Sequence, residues 1–317
     1  MSGTNTVTLS TSVAHLAQAA NLLTAGECIA FPTETVYGLG ADARSGTAVA
    51  KVFAAKGRPA FNPLIVHVPD ATIAQRHVIW SDTADRLASA FWPGPLTLVL
   101  PLRAEHGIAP LVTAGLDSLA VRVPAQSIAQ RLMHMFGGPL AAPSANLSGQ
   151  ISATQARHVL AGLQGKIAAV VDDGPCPVGL ESTIVGLTGD RPVLLRPGGL
   201  PVEVIETALG HTLARAGDKE GVTAPGQLQS HYAPAAALRL QARFPRAGEL
   251  LLGFGPMDCD LNLSQTGDLT EAAANLFGHL HKLDRMSAMI AVAPVPDHGL
   301  GLAINDRLRR AAAPRDT

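Results

Sequence analysis

Apolar and polar positions alternate with two periods along the chain. Val13, Leu16, Ala20 and Leu23 fall on one face of a helix, which Ser10 or Thr11 can cap and Gly26 can end. The run 28–31 then predicts a short strand, 47–55 a second helix, 64–68 a second strand and 83–91 a third helix, broken by Trp92-Pro93-Gly94-Pro95. Strands are predicted at 97–100, 119–123 and 140–142, with a helix at 125–136. Ser152 or Thr154 can cap a helix reaching about residue 163, and 167–171 follows as a strand. The stretches 182–187 and 193–195 pair around a Thr-Gly-Asp-Arg turn, and Leu200-Pro201 opens a helix with proline in its first turn. Periodicity fades over 210–236. It returns as strand 249–254, helix 270–283, strand 289–293 and helix 300–310, an alternation that predicts a smaller doubly wound α/β unit.

Composition narrows the class. At 317 residues, with 47% hydrophobic and only 15% charged positions, the chain suits two well-filled cores. The net charge of −1 provides no global field for nucleic acid, so any basic site must be local. Cys28, Cys176 and Cys259 are odd in number and far apart, which fits reduced cytosolic thiols rather than a disulfide frame or a zinc site. The polar N-terminus has no signal-peptide pattern, and no apolar run reaches the ~18 residues of a membrane span. A cytoplasmic protein without membrane contact is expected.

Candidate chemistry gathers in the first two thirds. Lys56 and Arg58 follow a helix end, Asn62 follows them, and His67 sits in an apolar strand. Cations at a helix C-terminus can simply complement its dipole. Here Pro59 and Pro63 stiffen the backbone around them, which suits anion and especially phosphate binding. The loop from Pro32 to Gly40 carries hydroxyls, a carboxylate, a phenol and two glycines; it is either an ordinary turn-rich loop or a substrate loop at a strand end. Arg122, inside a strand, must be paired structurally or face a ligand. The stretch 143–149 is a small polar loop fit for a nucleotide cradle or for plain helix capping. There is no P-loop, no complete G-x-G-x-x-G, no H-E-x-x-H and no G-x-S-x-G. The dispersed cations and small polar loops suit catalysis by positioning and charge neutralisation, as in phosphoryl or nucleotidyl transfer.

Taken in order, FPTETVYGLG, KGRP with FNPL, FWPGPLT, PSANLSG, ESTIV and LLRPG resemble the YrdC-like threonylcarbamoyl-adenylate synthases, and PGQLQSHYAP with the last α/β unit resembles their long form. The resemblance implies a twisted, open, mixed α/β sheet with flanking helices over 1–210, a linker over 211–236 closing on the site, and a Rossmann-like domain over 237–317. It implies synthesis of threonylcarbamoyl-AMP and pyrophosphate from L-threonine, bicarbonate and ATP with Mg²⁺. A separate tRNA threonylcarbamoyl transferase would consume the product, and contact with tRNA itself would be weak. By position, Lys56, Arg58, Ser144 and Asn146 carry the family's K-x-R and S-x-N signature and should face ATP. Asn62, Ser118, Ser152, Arg196 and Tyr232 should also contact the nucleotide. Thr35, His67, Arg122, Ser182 and the backbone near Ala142 should hold L-threonine, with Arg122 on its carboxylate. The linker's Gln-Leu-Gln-Ser is less basic than in some members. An RNA-binding module of the same fold is the main alternative, weakened by an aromatic content of 4%; a carbamoyl-phosphate maturation enzyme would carry zinc-finger and acylphosphatase segments that are not visible here.

Overall fold

The computed structural model of the chain describes residues 5–215 and 231–314. It opens with β1 (Val7–Leu9), α1 (Val13–Thr24), β2 (Ile29–Phe31), β3 (Gly38–Asp42), α2 (Gly46–Lys56), β4 (Ile65–His67) and α3 (Ala71–Ala74). Next come α4 (Asp82–Phe91), β5 (Leu96–Pro101), α5 (Pro110–Thr113), β6 (Ser118–Arg122), α6 (Ser127–Phe136) and β7 (Leu140–Ala141). Then follow α7 (Ala156–Leu163), β8 (Ala169–Val171), β9 (Thr183–Gly186), β10 (Val193–Arg196), α8 (Val202–Leu209) and β11 (Ala214–Arg215). The last part holds β12 (Ala237–Arg239), β13 (Leu250–Gly253), β14 (Leu261–Asn262), α9 (Leu269–Leu283), β15 (Met289–Val292) and α10 (Leu300–Ala312). Among the described residues, no helix is long and apolar enough to cross a membrane.

Among the described residues, eleven strands form one mixed sheet in the order β1-β8-β2-β3-β7-β4-β6-β5-β9-β10-β11, and four parallel strands form a second, β12-β15-β13-β14. Alternation along the strands decides which face each residue meets. At one end of the large sheet, Ile29 and Phe31 pack with α1 and α6 while Ala30 packs with α2 and α7 on the other face. Towards the other end, Val66, Leu98, Val121 and Val185 bury one face under α4 and α8. The opposite face carries only a small apolar group, Ile65, Val99, Ala120 and Ile184. Two residues beyond Ile65 and Ala120, and two before Ile184, stand His67, Arg122 and Ser182 on that same thinly covered face.

The C-terminal unit covers it. Val36, Ile151, Leu180 and Tyr232 share an apolar core with Leu276, Phe277, Ile304 and Leu308 of α9 and α10. The two sheets are thus joined by a continuous hydrophobic contact.

Several local expectations change. Ser12, not Ser10 or Thr11, caps α1, accepting from the His15 amide. Neither Ser152 nor Thr154 caps α7; Gln155 stands at its N-cap and supplies no side-chain bond. Gly38 and Gly40 are not turn glycines but strand residues of β3, paired with Phe31 and Ile29. The Phe31 ring lies across them, so a Cβ on Gly40 would come within 2.8 Å of its Cε1. The linker residues Ala224-Pro225-Gly226 and Gln-Leu-Gln-Ser at 227–230 lie outside the described residues.

Candidate active site

A pocket lies on the thinly covered face, between the large sheet and the α9–α10 unit. Thr35, Arg58, His67, Arg122, Ala142, Ser144, Ser182, Arg196 and Tyr232 all line it, together with Thr33, Glu181 and His231. His67 and Arg122 are register partners on β4 and β6. Arg196 reaches the same face because the β9–β10 register shifts between Leu194 and Arg196. Leu194 packs into the opposite core, and strict alternation would have turned Arg196 the same way; the irregularity re-aims it.

Arg58 follows Gly57, which is left-handed (φ 62°) and ends α2. Its guanidinium is fixed from behind: Nη2 donates to Asn62 Oδ1 (2.7 Å) and the Pro63 carbonyl (2.8 Å), and Nε to the Asn62 carbonyl (3.2 Å). Asn62 therefore positions Arg58. Burial pulls the Arg58 pKa down to about 10, with nearby Arg196 acting the same way; the group stays cationic at neutral pH. Arg196 is anchored by Nη2 to the Ser182 carbonyl (2.9 Å).

Lys56 does not face the pocket as expected. Its buried ammonium donates to the carbonyls of Ser144 and Asn146, 2.5 Å each, and so ties the 143–149 loop to the end of α2. Burial, with Arg58 next to it, holds its pKa well below the usual lysine range. The Asn146 amide is likewise turned onto the loop, donating to the carbonyls of Leu147 (2.7 Å) and Gln150 (2.9 Å).

Arg122 is already engaged. Nη2 donates to Glu34 Oε1 (2.5 Å), Nη1 to Thr35 Oγ1 (2.8 Å) and Nε to the Gly94 carbonyl (3.1 Å). The fork expected to be open for a ligand carboxylate holds one from the protein. His67 is buried and neutral; burial, then Arg122, pulls its pKa to about 3. The phenol of Tyr37, a conspicuous group of the same loop, points elsewhere and donates to the Gly174 carbonyl (2.8 Å).

Ser152 sits behind the pocket wall, with its hydroxyl donating to Glu181. Glu181 also accepts from Nε of Arg307 (2.9 Å), which reaches over from α10 and is fully buried. Burial alone would raise the Glu181 carboxyl, but Arg307, Arg196 and Ser152 together hold it below its usual range. Ser118 is not brought to the site: it opens β6 opposite Pro101, about 13 Å of strand from Arg122. Glu34, Glu181, Arg307 and His231 were not singled out from the sequence. Arg307 had a signal, since it falls on the apolar stripe of α10 with Ile304, Leu308 and Ala311.

Tyr232 is buried with φ +63°, an uncommon backbone for a bulky residue. Its ring is held by Phe277 (centroids 5.7 Å apart) and by the Arg307 guanidinium (5.2 Å). Burial and Glu181 raise its pKa, so it is a neutral phenol. Among the described residues, eight buried side-chain polar atoms have no hydrogen-bond partner. Seven belong to residues in or against this pocket: Glu34, Asn62, His67, Asn146, His231, Tyr232 and Arg307. Buried polar atoms are ordinarily paired, so such a concentration marks a binding site.

Residues 21–198 match the Sua5_yciO_yrdC family, described as "Telomere recombination", and residues 200–313 match the family described as "Threonylcarbamoyl-AMP synthase, C-terminal domain". The threonylcarbamoyl-AMP synthase of Pyrococcus abyssi (strain GE5 / Orsay) is 42% identical over 322 residues, 94% of either chain. That of Bacillus subtilis (strain 168) is 41% identical over 333 residues, covering 97% of this chain and 95% of its own. The crystal structure of P. abyssi Sua5 complexed with L-threonine matches with a TM-score of 0.89 at 38% identity, over 98% of each chain. The chain belongs to the threonylcarbamoyl-AMP synthase family. It is an enzyme, with a nucleotidyltransferase type of activity.

Proposed function

We propose that this pocket joins L-threonine, bicarbonate and ATP into threonylcarbamoyl-AMP and pyrophosphate. The observation that carries the reading is the convergence of Arg58, Arg122 and Arg196 on one buried pocket, bordered by unpartnered polar atoms. In the first step the threonine amine attacks the bicarbonate carbon and water leaves, giving a carbamate. In the second, a carbamate oxygen attacks the α-phosphorus of ATP and pyrophosphate departs. Both steps need orientation and neutralised charge rather than a protein nucleophile.

Arg58 and Arg196, with Ser144 and Tyr232, take the nucleotide in this reading; Asn62 acts through Arg58, Lys56 and Asn146 through the loop they hold, and Ser152 through Glu181. Thr35, His67, Arg122, Ser182 and the Ala142 backbone take threonine. Because Arg122 already holds Glu34 and Thr35, the threonine carboxylate competes with Thr35 for the Nη1 edge. Mg²⁺ accompanies ATP. Among the described residues no group of three or more His, Cys, Asp or Glu could hold an ion. The pocket's two flanking carboxylates are paired to arginines, so phosphate oxygens and water are the ligands this reading gives it.

We divide the chain into a catalytic domain (1–210), a linker (211–236) that closes the site and a C-terminal domain (237–317). The cavity holds only about 50 Å³, against roughly 300 Å³ or more for a typical small-molecule site. His231 and Tyr232 cover it, so they withdraw to admit ATP. The product is a reactive mixed anhydride, consumed by a separate tRNA threonylcarbamoyl transferase. With a net charge of −1, contact with tRNA is weak and local. Three free thiols suit the reducing cytoplasm.

The test is pyrophosphate release from ATP with threonine and bicarbonate omitted in turn, on wild type and Arg58→Ala. Release needing both substrates, and reduced about 100-fold or more in the variant, is expected. Release without threonine would refute the reading.

A further inference from the structure

The eighth unpartnered buried atom, Nδ1 of His279, lies outside the substrate pocket. His279 lines a groove of about 810 Å³ between α7 and α9. Arg157 and His158 come to it from α7; His281, Lys282 and Arg285 come from the end of α9 and the residues just after it. Among the described residues, no carboxylate lines this groove. Among the described residues, Arg157, Lys282 and Arg285 make no ion pair. The imidazoles of His158 and His281 stack across the junction with centroids 4.0 Å apart. A second recess of about 410 Å³ continues past them and shares His158, His281 and Arg285. Its one acidic side chain, Asp284, accepts the Ala236 amide at 2.7 Å.

We propose that the α7–α9 groove is a second anion site, separate from the substrate pocket, that takes a small phosphate-class oxoanion such as pyrophosphate. Three observations converge on this class. Like charges face each other from two elements at a junction where repulsion would otherwise push them apart, and an anion between them reverses its sign. The N-terminus of α7, whose Gln155 and Arg157 line the groove, has no side-chain cap, and the positive end of its dipole favours an anion there. Among the described residues, no Phe, Tyr or Trp lines the groove, which leaves it without the stacking platform that single-stranded nucleic acid uses. The imidazoles stand neutral: burial, then His281, Arg157 and Arg285, pulls His158 to about 3, and burial pulls His281 to about 4, with Arg285 and Arg157 lowering and Asp284 raising it. Each offers a hydrogen-bonding nitrogen without a fixed charge and gains a proton when an anion arrives.

The groove is wired to the pocket. His281 Nε2 contacts the Ser152 carbonyl at 3.1 Å, and the Ser152 hydroxyl donates to Glu181, which lines the pocket and pairs with Arg307. An anion in the groove therefore draws α9 towards the segment that supports the pocket wall.

The inference stands on the groove and not on the reaction, and its test separates the two. Pyrophosphate is titrated by calorimetry into the full-length wild type, Arg58→Ala and, on the Arg58→Ala background, the double variant Arg157→Gln/Arg285→Gln, whose changed side chains are exposed. Binding that persists in Arg58→Ala and weakens about tenfold or more in the double variant is expected. Lys282→Gln, also exposed, provides a second, milder loss. In parallel, the His158 and His281 ring signals should shift on titration and show raised pKa values. Unchanged binding in the double variant, or unmoved imidazole signals, overturns the proposal. So does a single-stranded RNA oligonucleotide that binds the wild type, fails on the double variant and is not displaced by pyrophosphate.

Discussion

The two sheets treat their buried polar groups differently. Around the large sheet, carboxylates, amides and imidazoles converge on one face with several atoms left unpartnered. In the smaller unit they are mostly satisfied locally: Ser264 donates to Glu271, and Asn305 donates to the Val295 carbonyl. Its only two unpartnered buried atoms among the described residues, on His279 and Arg307, lie where it meets the large sheet. Unsatisfied polarity is a cost, and among the described residues it gathers around the pocket and the junction between the two units. The smaller unit is thus more than an appendage, since it contributes the arginine that holds the pocket's Glu181.

That comparison breaks most readily at Arg307. Arg307→Ala leaves Glu181 buried without its main partner, which should cost about 3–5 kcal/mol in urea unfolding and reduce synthase activity with it. A loss below about 1 kcal/mol would show that the small unit merely rests on the pocket. The apolar contact of Val36, Leu180 and Tyr232 with α9 and α10 would then be the whole junction.

A smaller effect separates the regions by pH. His67 titrates near 3 when folded, because burial and Arg122 oppose its proton, against about 6.5 unfolded. The unfolded chain therefore binds more protons below about pH 6.5, so stability falls as pH drops from there towards 3. The His67 contribution at pH 5 is roughly 2 kcal/mol. His67→Gln should flatten the fall in melting temperature between pH 7 and pH 5. An unchanged slope would assign the effect to the other imidazoles that burial holds neutral, His231 at the pocket and His158, His279 and His281 at the groove.

The chain displays some of this architecture openly and hides the rest. His67 and Arg122 stand out as polar residues inside apolar strands, and alternation with Ile65 and Ala120 says which face they share. Partners are a different matter. Nothing near Lys56 in sequence shows that its ammonium is spent on the carbonyls of Ser144 and Asn146, some 88 and 90 positions away. The Arg307–Glu181 pair spans 126 positions; the apolar stripe of α10 marks Arg307 as a buried charge, but nothing along the chain names its partner. Gly38 and Gly40 read as a turn because the strand signal of β3 lies in the Phe31 ring across from them. Gly40→Ala tests that account. Its methyl would meet Phe31 at 2.8 Å, an overpacking worth about 1–2 kcal/mol in thermal unfolding, whereas at a free turn of ordinary φ the change would be neutral or mildly stabilising.

The smallest expected effect supplies the control for the largest. Lys51 and Glu27 meet at 2.7 Å, slightly closer than Arg307 and Glu181 at 2.9 Å. Distance alone would rank the first pair as the stronger. Their side chains are 44% and 39% exposed, however, against 0% and 8% for the buried pair. In water the field between the exposed charges is damped, and two long side chains must be immobilised to keep them together. Lys51→Ala should therefore change stability by less than about 1 kcal/mol, and added salt should erase what remains. A Lys51→Ala loss that matched Arg307→Ala would mean that contact geometry, not burial against the small unit, sets the strength of both pairs.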